Sequence, residues 1–465
     1  MTRLTLSLIS HTNVGKTTLA RTLTRKDVGE VFDQAHVTEV SEAFPLIQSS
    51  SAELHLWDTP GLGDTVRLVR RLRKSGNPIG WFLHQVWDRN LDRPLYCSQA
   101  ALRNVREDTD AVLYIINAAE APEDAGYVAP ELEILTWIGR PTLVVLNQTG
   151  PAGTSSEKLE REWQRYLSAH AIVRDVLPLD AFGRCWVQED VLFERVVALF
   201  EEGQKAFMVE LAQAWHERNV DIFDRSMSLI AEQLAETAVD RERLPSTFPS
   251  AKEKEEAMTA LTKRLDAREE RLWDEVIAAH GLEGQAAREA KSHIDAFLVK
   301  GEEKLSPKRG ALLGGMVSGA IGGLTADILS GGLTFGGGVL AGTILGALGG
   351  AGLSHAMRYM RTGEQPAVSW SREFLDGMLE RAILRYLAIA HFGRGRGRFE
   401  EDRAPTAWTQ NTRAAINARK PSFSSRWSEA ESPSATAPRI SRNLTRDFKK
   451  TVTAILNQAY PESRL

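Results

Sequence analysis

The chain has 465 residues, a formal net charge of −4 and a charged fraction of 25%. That length suits two or three domains, and the balanced charge gives no general case for nucleic-acid binding. Two cysteines, Cys97 and Cys185, stand in unrelated contexts, which excludes a disulfide framework or zinc-type spacing and fits a reducing compartment.

The chain opens on a strand-like run, Leu4 to Ile9, with no signal-peptide pattern before it, so cytoplasmic residence is expected. Next comes Ser10-His11-Thr12-Asn13-Val14-Gly15-Lys16-Thr17, then a helical run that begins at Thr18. Strand, glycine-containing loop with Lys-Thr, and helix are the context of a phosphate-binding loop. Its backbone N–H groups and the helix dipole face an anion. Lys16 is expected to reach the β- and γ-phosphates, and the Thr17 hydroxyl to ligate Mg²⁺. The usual pattern opens with Gly, and Ser10 stands there instead, losing the freedom of a residue without Cβ.

Ala35 to Val40 forms a loop that carries Thr38, with Ser41 a second hydroxyl close by. Glu53 to Gly61 reads as a strand ending in Asp58-Thr59-Pro60-Gly61. From Gly63 to Asp110 runs an insertion rich in Trp, Arg and Pro, whose basic part spans Arg67 to Lys74. That part reads either as a partner-sensing surface or as a helix with a solvated charged face. Ala111 to Asn117 is continuously apolar, as a buried parallel strand should be. Pro141 to Leu146 is a further strand, running into Asn147-Gln148-Thr149-Gly150, and Leu177 to Phe182 follows with Ala181. Residues 1–200 therefore read as a doubly wound α/β domain of the P-loop NTPase type.

From about Glu201 the strand signals stop, and residues 201–400 read as a helical domain. Met258, Leu261, Leu265, Leu272, Trp273, Val276 and Ile277 recur at helical spacing, either as a coiled-coil partner face or as one helix of a bundle. Residues 310–354 hold one charged side chain, Asp327, and glycines spaced by four: Gly315, Gly319 and Gly323, then Gly338, Gly342, Gly346 and Gly350. Such spacing lets helix backbones approach closely. Each arm suffices to cross a bilayer, and Lys308, Arg309, Arg358 and Arg361 make both flanks basic. Two readings stand open: a membrane hairpin that contacts lipid at the inner face of the plasma membrane, and a buried, glycine-zippered hairpin. Phe374 to Leu387 makes another amphipathic helix, followed by alternating Gly and Arg from Gly393 to Arg398. Residues 401–465 read as a partly flexible tail, with a Ser/Pro/Ala-rich linker over 420–438 and a last short helix from Phe448 to Tyr460.

The order of phosphate loop, Thr38, Asp58, Asn147 and Ala181 resembles the TrmE–Era class of GTPases. The resemblance implies that Asp58 serves Mg²⁺, that the Gly61 N–H meets the γ-phosphate and that Thr38 closes on Mg²⁺ in the triphosphate state. It places Val14, Gly15, Lys16, Thr17 and Thr18 around the phosphates, and Asn147, Gln148 and Ala181 at the base. Gln148 stands where the class has Lys, and Gly150 where it has the guanine-reading Asp, so GTP and ATP both stay admissible. In several members of the class an Asn at the position of Asn13 coordinates K⁺. Leu62 stands where Ras-like proteins carry a catalytic Gln, and an apolar residue cannot orient water. Asn13 and Leu62 together point to hydrolysis assisted by a monovalent cation; structural support of the loop is the other reading of Asn13. Catalysis then falls to Lys16, Thr38 and Asn13.

Gly139-Arg140-Pro141, the run LPLDAFGRCWV over 177–187, and the stretch from Arg385 to Gly397 resemble a bacterial family. Its members fuse such a GTPase domain to a helical domain of unknown function. The expectation is a GTP/GDP-driven switch passing its motion to the helical part and to a second copy or another protein. A degenerate nucleotide-binding scaffold is the alternative.

Overall fold

The computed structural model describes residues 1–25, 41–84, 92–148, 154–179, 185–282, 357–362, 365–391, 406–463 and 465. The chain divides into two compact units: Met1–Val220 with 390–405 and 462–464, and Asp221–Ile389 with 406–461 and 465.

The first unit is built on a six-stranded sheet in the order β2-β3-β1-β4-β5-β6. Its strands are β1 Thr2–Ser10, β2 Glu42–Gln48, β3 Ala52–Asp58, β4 Ala111–Asn117, β5 Thr142–Asn147 and β6 Val173–Pro178. Only β2 runs antiparallel, against β3; every other pairing is parallel. The β4 run AVLYIIN is buried at all but its last residue, because helices cover both faces of a parallel sheet. Those helices are α1 Lys16–Thr24, α2 Thr65–Leu72, α3 Pro78–His84, α4 Arg93–Glu107, α5 Val128–Ile138, α6 Thr154–Leu167 and α7 Trp186–Val197. One core collects Leu4, Leu6 and Leu8 of β1 with Leu54 and Leu56 of β3; the other collects Ile9, Tyr114 and Ile116 with Leu62 and Leu132. The strand expectations over 4–9, 53–58, 111–117 and 141–146 all fall on this sheet. The basic stretch from Arg67 lies on α2 and the turn after it, where Arg67 meets Asp64 and Asp92 and Arg73 meets Glu133.

Helix α8, Glu202–Val239, gives its N-terminal part to the first unit and the remainder to the second. The second unit also holds α9 Ala251–Ala279, α10 Arg372–Ala390, α11 Thr406–Ala418, α12 Lys420–Ala430 and α13 Ala437–Ala459. Leu261, Leu265, Leu272, Trp273, Val276 and Ile277 are all buried on α9, so the stripe is a bundle face.

Two expectations need correction. Strands do not stop at Glu201: β7 Arg241–Arg243, β8 Met357–Thr362 and β9 Gln365–Trp370 form an antiparallel sheet in the order β7-β9-β8. β7 is three charged residues, too short to show an alternating pattern. The flexible linker over 420–438 is also overturned, and with it the flexible tail. α12 and α13 occupy most of that stretch, and their prolines sit in the first turn, where a missing N–H costs nothing. Phe423, Trp427, Ile440, Leu444 and Phe448 are buried, which holds both helices in place. The last helix consequently begins at Ala437, well before Phe448. The glycine-rich hairpin 310–354 and the Gly393–Arg398 run lie outside the described residues. Among the described residues no helix is long and apolar enough to cross a membrane.

Candidate nucleotide site

The phosphate loop spans the turn between β1 and α1. Two of its residues take left-handed backbone, Asn13 (φ 64°) and Gly15 (φ 88°). Gly15 is the N-cap of α1, and its φ is one that a residue with Cβ adopts only with strain. Ser10 is not among the positive-φ residues, so the loop asks no glycine freedom of it. It is 1% exposed, and its hydroxyl turns away to donate to the His11 carbonyl at 2.6 Å. The Ser-for-Gly departure is therefore accommodated at the end of the strand.

Parallel pairing of β1 with β3 sets Leu8 opposite Asp58, which brings the strand end to the loop. Lys16 Nζ donates to Asp58 Oδ1 at 2.8 Å, and Thr17 Oγ1 donates to Asp58 Oδ2 at 2.8 Å. The ion pair is out of solvent, with Lys16 7% and Asp58 2% exposed. Three of the expected residues thus converge, although 41 positions separate Thr17 from Asp58. A hydroxyl and a carboxylate side by side are the hard oxygen donors that Mg²⁺ takes alongside phosphate oxygens and water, so the residues fit that ion. Among the described residues no cluster of three or more His, Cys, Asp or Glu could hold a metal.

The segment after Asp58 is fastened to the loop. Thr59 Oγ1 donates to the Leu8 carbonyl at 2.6 Å, and the Leu62 N–H donates to the Ser10 carbonyl at 2.9 Å. A Cβ at Gly61 would stand 3.1 Å from the Thr12 Cα, so this glycine permits a close backbone approach. Leu62 is fully buried in the second core and faces away from any water.

On the other side of the loop, Asn147 at the end of β5 donates from Nδ2 to the Val14 carbonyl at 2.7 Å. Gln148, next in sequence, has φ 58°. Val14 and Thr18 are buried. Thr38, Gly150 and Ala181 lie outside the described residues; Ser41 stands just ahead of β2 with a buried hydroxyl that has no hydrogen bond.

Sequence reasoning missed a cluster beside the loop. Glu131 of α5 is fully buried and accepts hydrogen bonds from His11 Nδ1 and from the Tyr114 hydroxyl, both at 2.8 Å. The His11 ring stacks on Tyr127, centroids 4.5 Å apart at 19°. Burial pushes the Glu131 carboxyl above its usual range, and the His11 bond works against that rise. The available signal was Glu131 in the mostly apolar stretch VAPELEIL, which carries Glu133 as well, with no partner in sequence to decode it.

Two family models match the chain. One, described as a 50S ribosome-binding GTPase, covers residues 5–148; the other, a domain of unknown function (DUF3482), covers residues 169–451. Solved structures to which the chain shows similarity include a variant of Era from Aquifex aeolicus bound to GDP and aluminium fluoride. It is 18% identical over 43% of this chain and 58% of that one, with a TM-score of 0.31. Era in complex with MgGDPNP and a segment of 16S ribosomal RNA gives the same values: 18%, 43%, 58% and 0.31. The FeoB G-domain from Methanococcus jannaschii is 20% identical over 39% of this chain and 87% of that one, with a TM-score of 0.23. The match thus spans little more than half the length of the Era chains. No curated protein matches the sequence. With more than half its length in that domain, the chain belongs to the DUF3482 family, and it carries a P-loop GTPase domain at its N-terminus.

Proposed function

We propose that the chain binds GTP with Mg²⁺, hydrolyses it to GDP, and uses the difference to drive its helical part. The observation that carries this reading is the convergence of Lys16 and Thr17 on Asp58 at the mouth of the β1–α1 turn. Thr17 and Asp58 are the residues that would hold Mg²⁺, which neutralises phosphate charge when bound. Lys16 leaves Asp58 for the β- and γ-phosphates. The loop N–H groups surround the same anion, and Asn147 keeps the loop closed through the Val14 carbonyl. Gly61 packs against Thr12 of the loop, and its N–H is the group assigned to the terminal phosphate. Thr38 completes the closed state from the loop before β2.

Leu62 is walled into the core, so a side chain at that position places no water. Asn13 is exposed on the loop, and we assign it K⁺ as the extra positive charge in the transition state. The reading extends to residues 310–354 as a lipid-contacting hairpin at the inner face of the membrane, on the strength of its basic flanks.

The deciding experiment is nucleotide binding and turnover on the full chain, with GTP and ATP in competition and with K⁺ exchanged for Na⁺. GTP preference and K⁺-stimulated turnover, both lost in Lys16→Ala, support the proposal. ATP preference overturns the base assignment. Tight binding with no turnover in either cation replaces the switch by a scaffold. Flotation with anionic vesicles tests the hairpin: a protein that stays at the bottom of the gradient removes the membrane from the proposal.

A further inference from the structure

Glu131 is a conspicuous buried charge. An unpaired carboxylate in the interior is costly, and a well-packed apolar residue in its place is commonly neutral or better for stability. What distinguishes Glu131 is the set of elements it joins. His11 comes from the phosphate loop and Tyr114 from β4. The helix that carries Glu131 also packs against α2, with Leu132 and Leu135 in one core with Leu68 and Val69. Thr65, the first residue of α2, lies three positions beyond Leu62 and is buried, its hydroxyl without a hydrogen-bond partner.

The connection closes into a ring. The backbone of His11 bridges to Leu62, and the Leu62 N–H reaches the Ser10 carbonyl at 2.9 Å. From Leu62 the chain runs to Thr65 and α2, α2 packs on α5 in the second core, and α5 returns to the loop through Glu131 and His11 at 2.8 Å. Gly61 lies inside this ring, against Thr12. Tyr127 stacks on the outer side of the imidazole and leaves it little room to turn. The loop that cradles phosphate and the segment that senses its last phosphate are therefore tied to one helix, α5, the loop through the buried Glu131 and the segment through the packing of α2.

We propose that Glu131 is a positioning residue: through His11, and from a helix packed on α2, it holds the phosphate loop and the start of α2 in the register that favours a nucleoside triphosphate over a diphosphate. This rests on the GTP reading above. His11 is the link rather than a reacting group, because its Nδ1 is committed to Glu131 and its ring to Tyr127. A side chain that merely supported the fold would affect both nucleotides alike. One that couples the γ-phosphate sensor to the loop acts on the triphosphate, since only the triphosphate engages Gly61.

The test is a pair of variants, Glu131→Gln and His11→Ala, and their double variant, in the full chain. Affinities for a fluorescent GDP and a fluorescent non-hydrolysable GTP analogue are measured. The triphosphate is expected to lose about tenfold in each single variant and the diphosphate less than about threefold, with the double variant no weaker than either single one. Equal losses for both nucleotides, or losses that add in the double variant, overturn the proposal. Histidine ¹⁵N NMR of the nucleotide-free protein reads the link without any ligand. The His11 Nδ1 resonance, identified by its absence in His11→Ala, should move in Glu131→Gln. An unmoved resonance overturns the proposal even if guanine nucleotides bind. Wild-type protein that binds neither nucleotide sinks the GTP reading, and the resonance then decides the link alone.

Discussion

Lys16→Ala has a second consequence besides lost nucleotide binding, and the structure sets its size. Lys16 and Asp58 form an ion pair at 2.8 Å with side chains only 7% and 3% exposed. Removing one partner of a buried pair leaves an uncompensated charge, which costs about 3–5 kcal/mol. Asp58 keeps one hydrogen bond, from Thr17 at 2.8 Å, so the lower end, about 3 kcal/mol, is expected. For a domain of this size that is a drop of about 6–12 °C in the unfolding temperature. The double variant Lys16→Met with Asp58→Leu replaces both charges by apolar groups of similar length, and should recover much of the loss. The assay is thermal unfolding without nucleotide or Mg²⁺, followed by near-ultraviolet circular dichroism. If Lys16→Ala unfolds within about 1 °C of the wild type under those conditions, the pair contributes nothing and the reasoning fails. A double variant less stable than Lys16→Ala refutes it equally, because it shows that the loss came from packing rather than from a stranded carboxylate.

Leu62→Gln, which restores the residue type used by Ras-like proteins, is expected to destabilise by about 2–3 kcal/mol without raising turnover, because position 62 is fully buried; urea unfolding and a phosphate-release assay check both halves, and faster turnover would show that the side chain reaches water. Asn147→Ala removes the 2.7 Å bond to the Val14 carbonyl and is expected to weaken GTP and GDP together by about tenfold, as calorimetric titration would read. Asp266 of α9 is held up at about 7 by burial and by neighbouring Glu269. A carboxyl raised in the folded state binds more protons there, so its ionisation lowers stability as pH rises from about 4 to about 7. Asp266→Asn should therefore match the wild type near pH 4 and exceed it at pH 8, by on the order of 1–2 kcal/mol after allowing for partial solvent screening; unfolding at the two pH values measures the difference, and equal stability at pH 8 removes the burial argument.

What could be read from the sequence divides by how local the determinant is. The phosphate loop is contiguous, and its geometry follows from Gly15, Lys16 and Thr17 being adjacent. Asp58 was legible from the Asp-x-x-Gly that ends its strand and from the resemblance to switch GTPases; the parallel register that sets it opposite Leu8 is what brings it to the loop. Leu62 was legible as an absent Gln, although not as a core residue. The link between His11 and Glu131 spans 120 positions, and no local pattern encodes it. A glutamate in an apolar helix signals only that something unusual is paired with it. In the second unit, serine and proline over 420–438 suggested a linker, yet the buried Phe423, Trp427 and Ile440 outweigh composition.

The same division explains why Ser10 is a smaller departure than the motif suggests. A phosphate loop needs left-handed backbone at particular points, and here they are Asn13 and Gly15. Asn is among the few residues with Cβ that take such a conformation at modest cost. Position 10 belongs to the end of β1, where the backbone is extended by its pairing with β4 at Ile115. A serine there needs only a partner for its hydroxyl, and the adjacent carbonyl supplies one. Glycine at the first motif position is then a matter of space rather than of dihedral freedom. The argument has a direct consequence: Ser10→Gly should leave nucleotide affinity within about threefold of the wild type, whereas Gly15→Ala, which forces a Cβ onto φ 88°, should cost about 1 kcal/mol or more in stability and disrupt binding. Equilibrium binding of a fluorescent GTP analogue to the two variants separates the cases. A large gain in affinity from Ser10→Gly would mean that the serine obstructs the phosphate site after all.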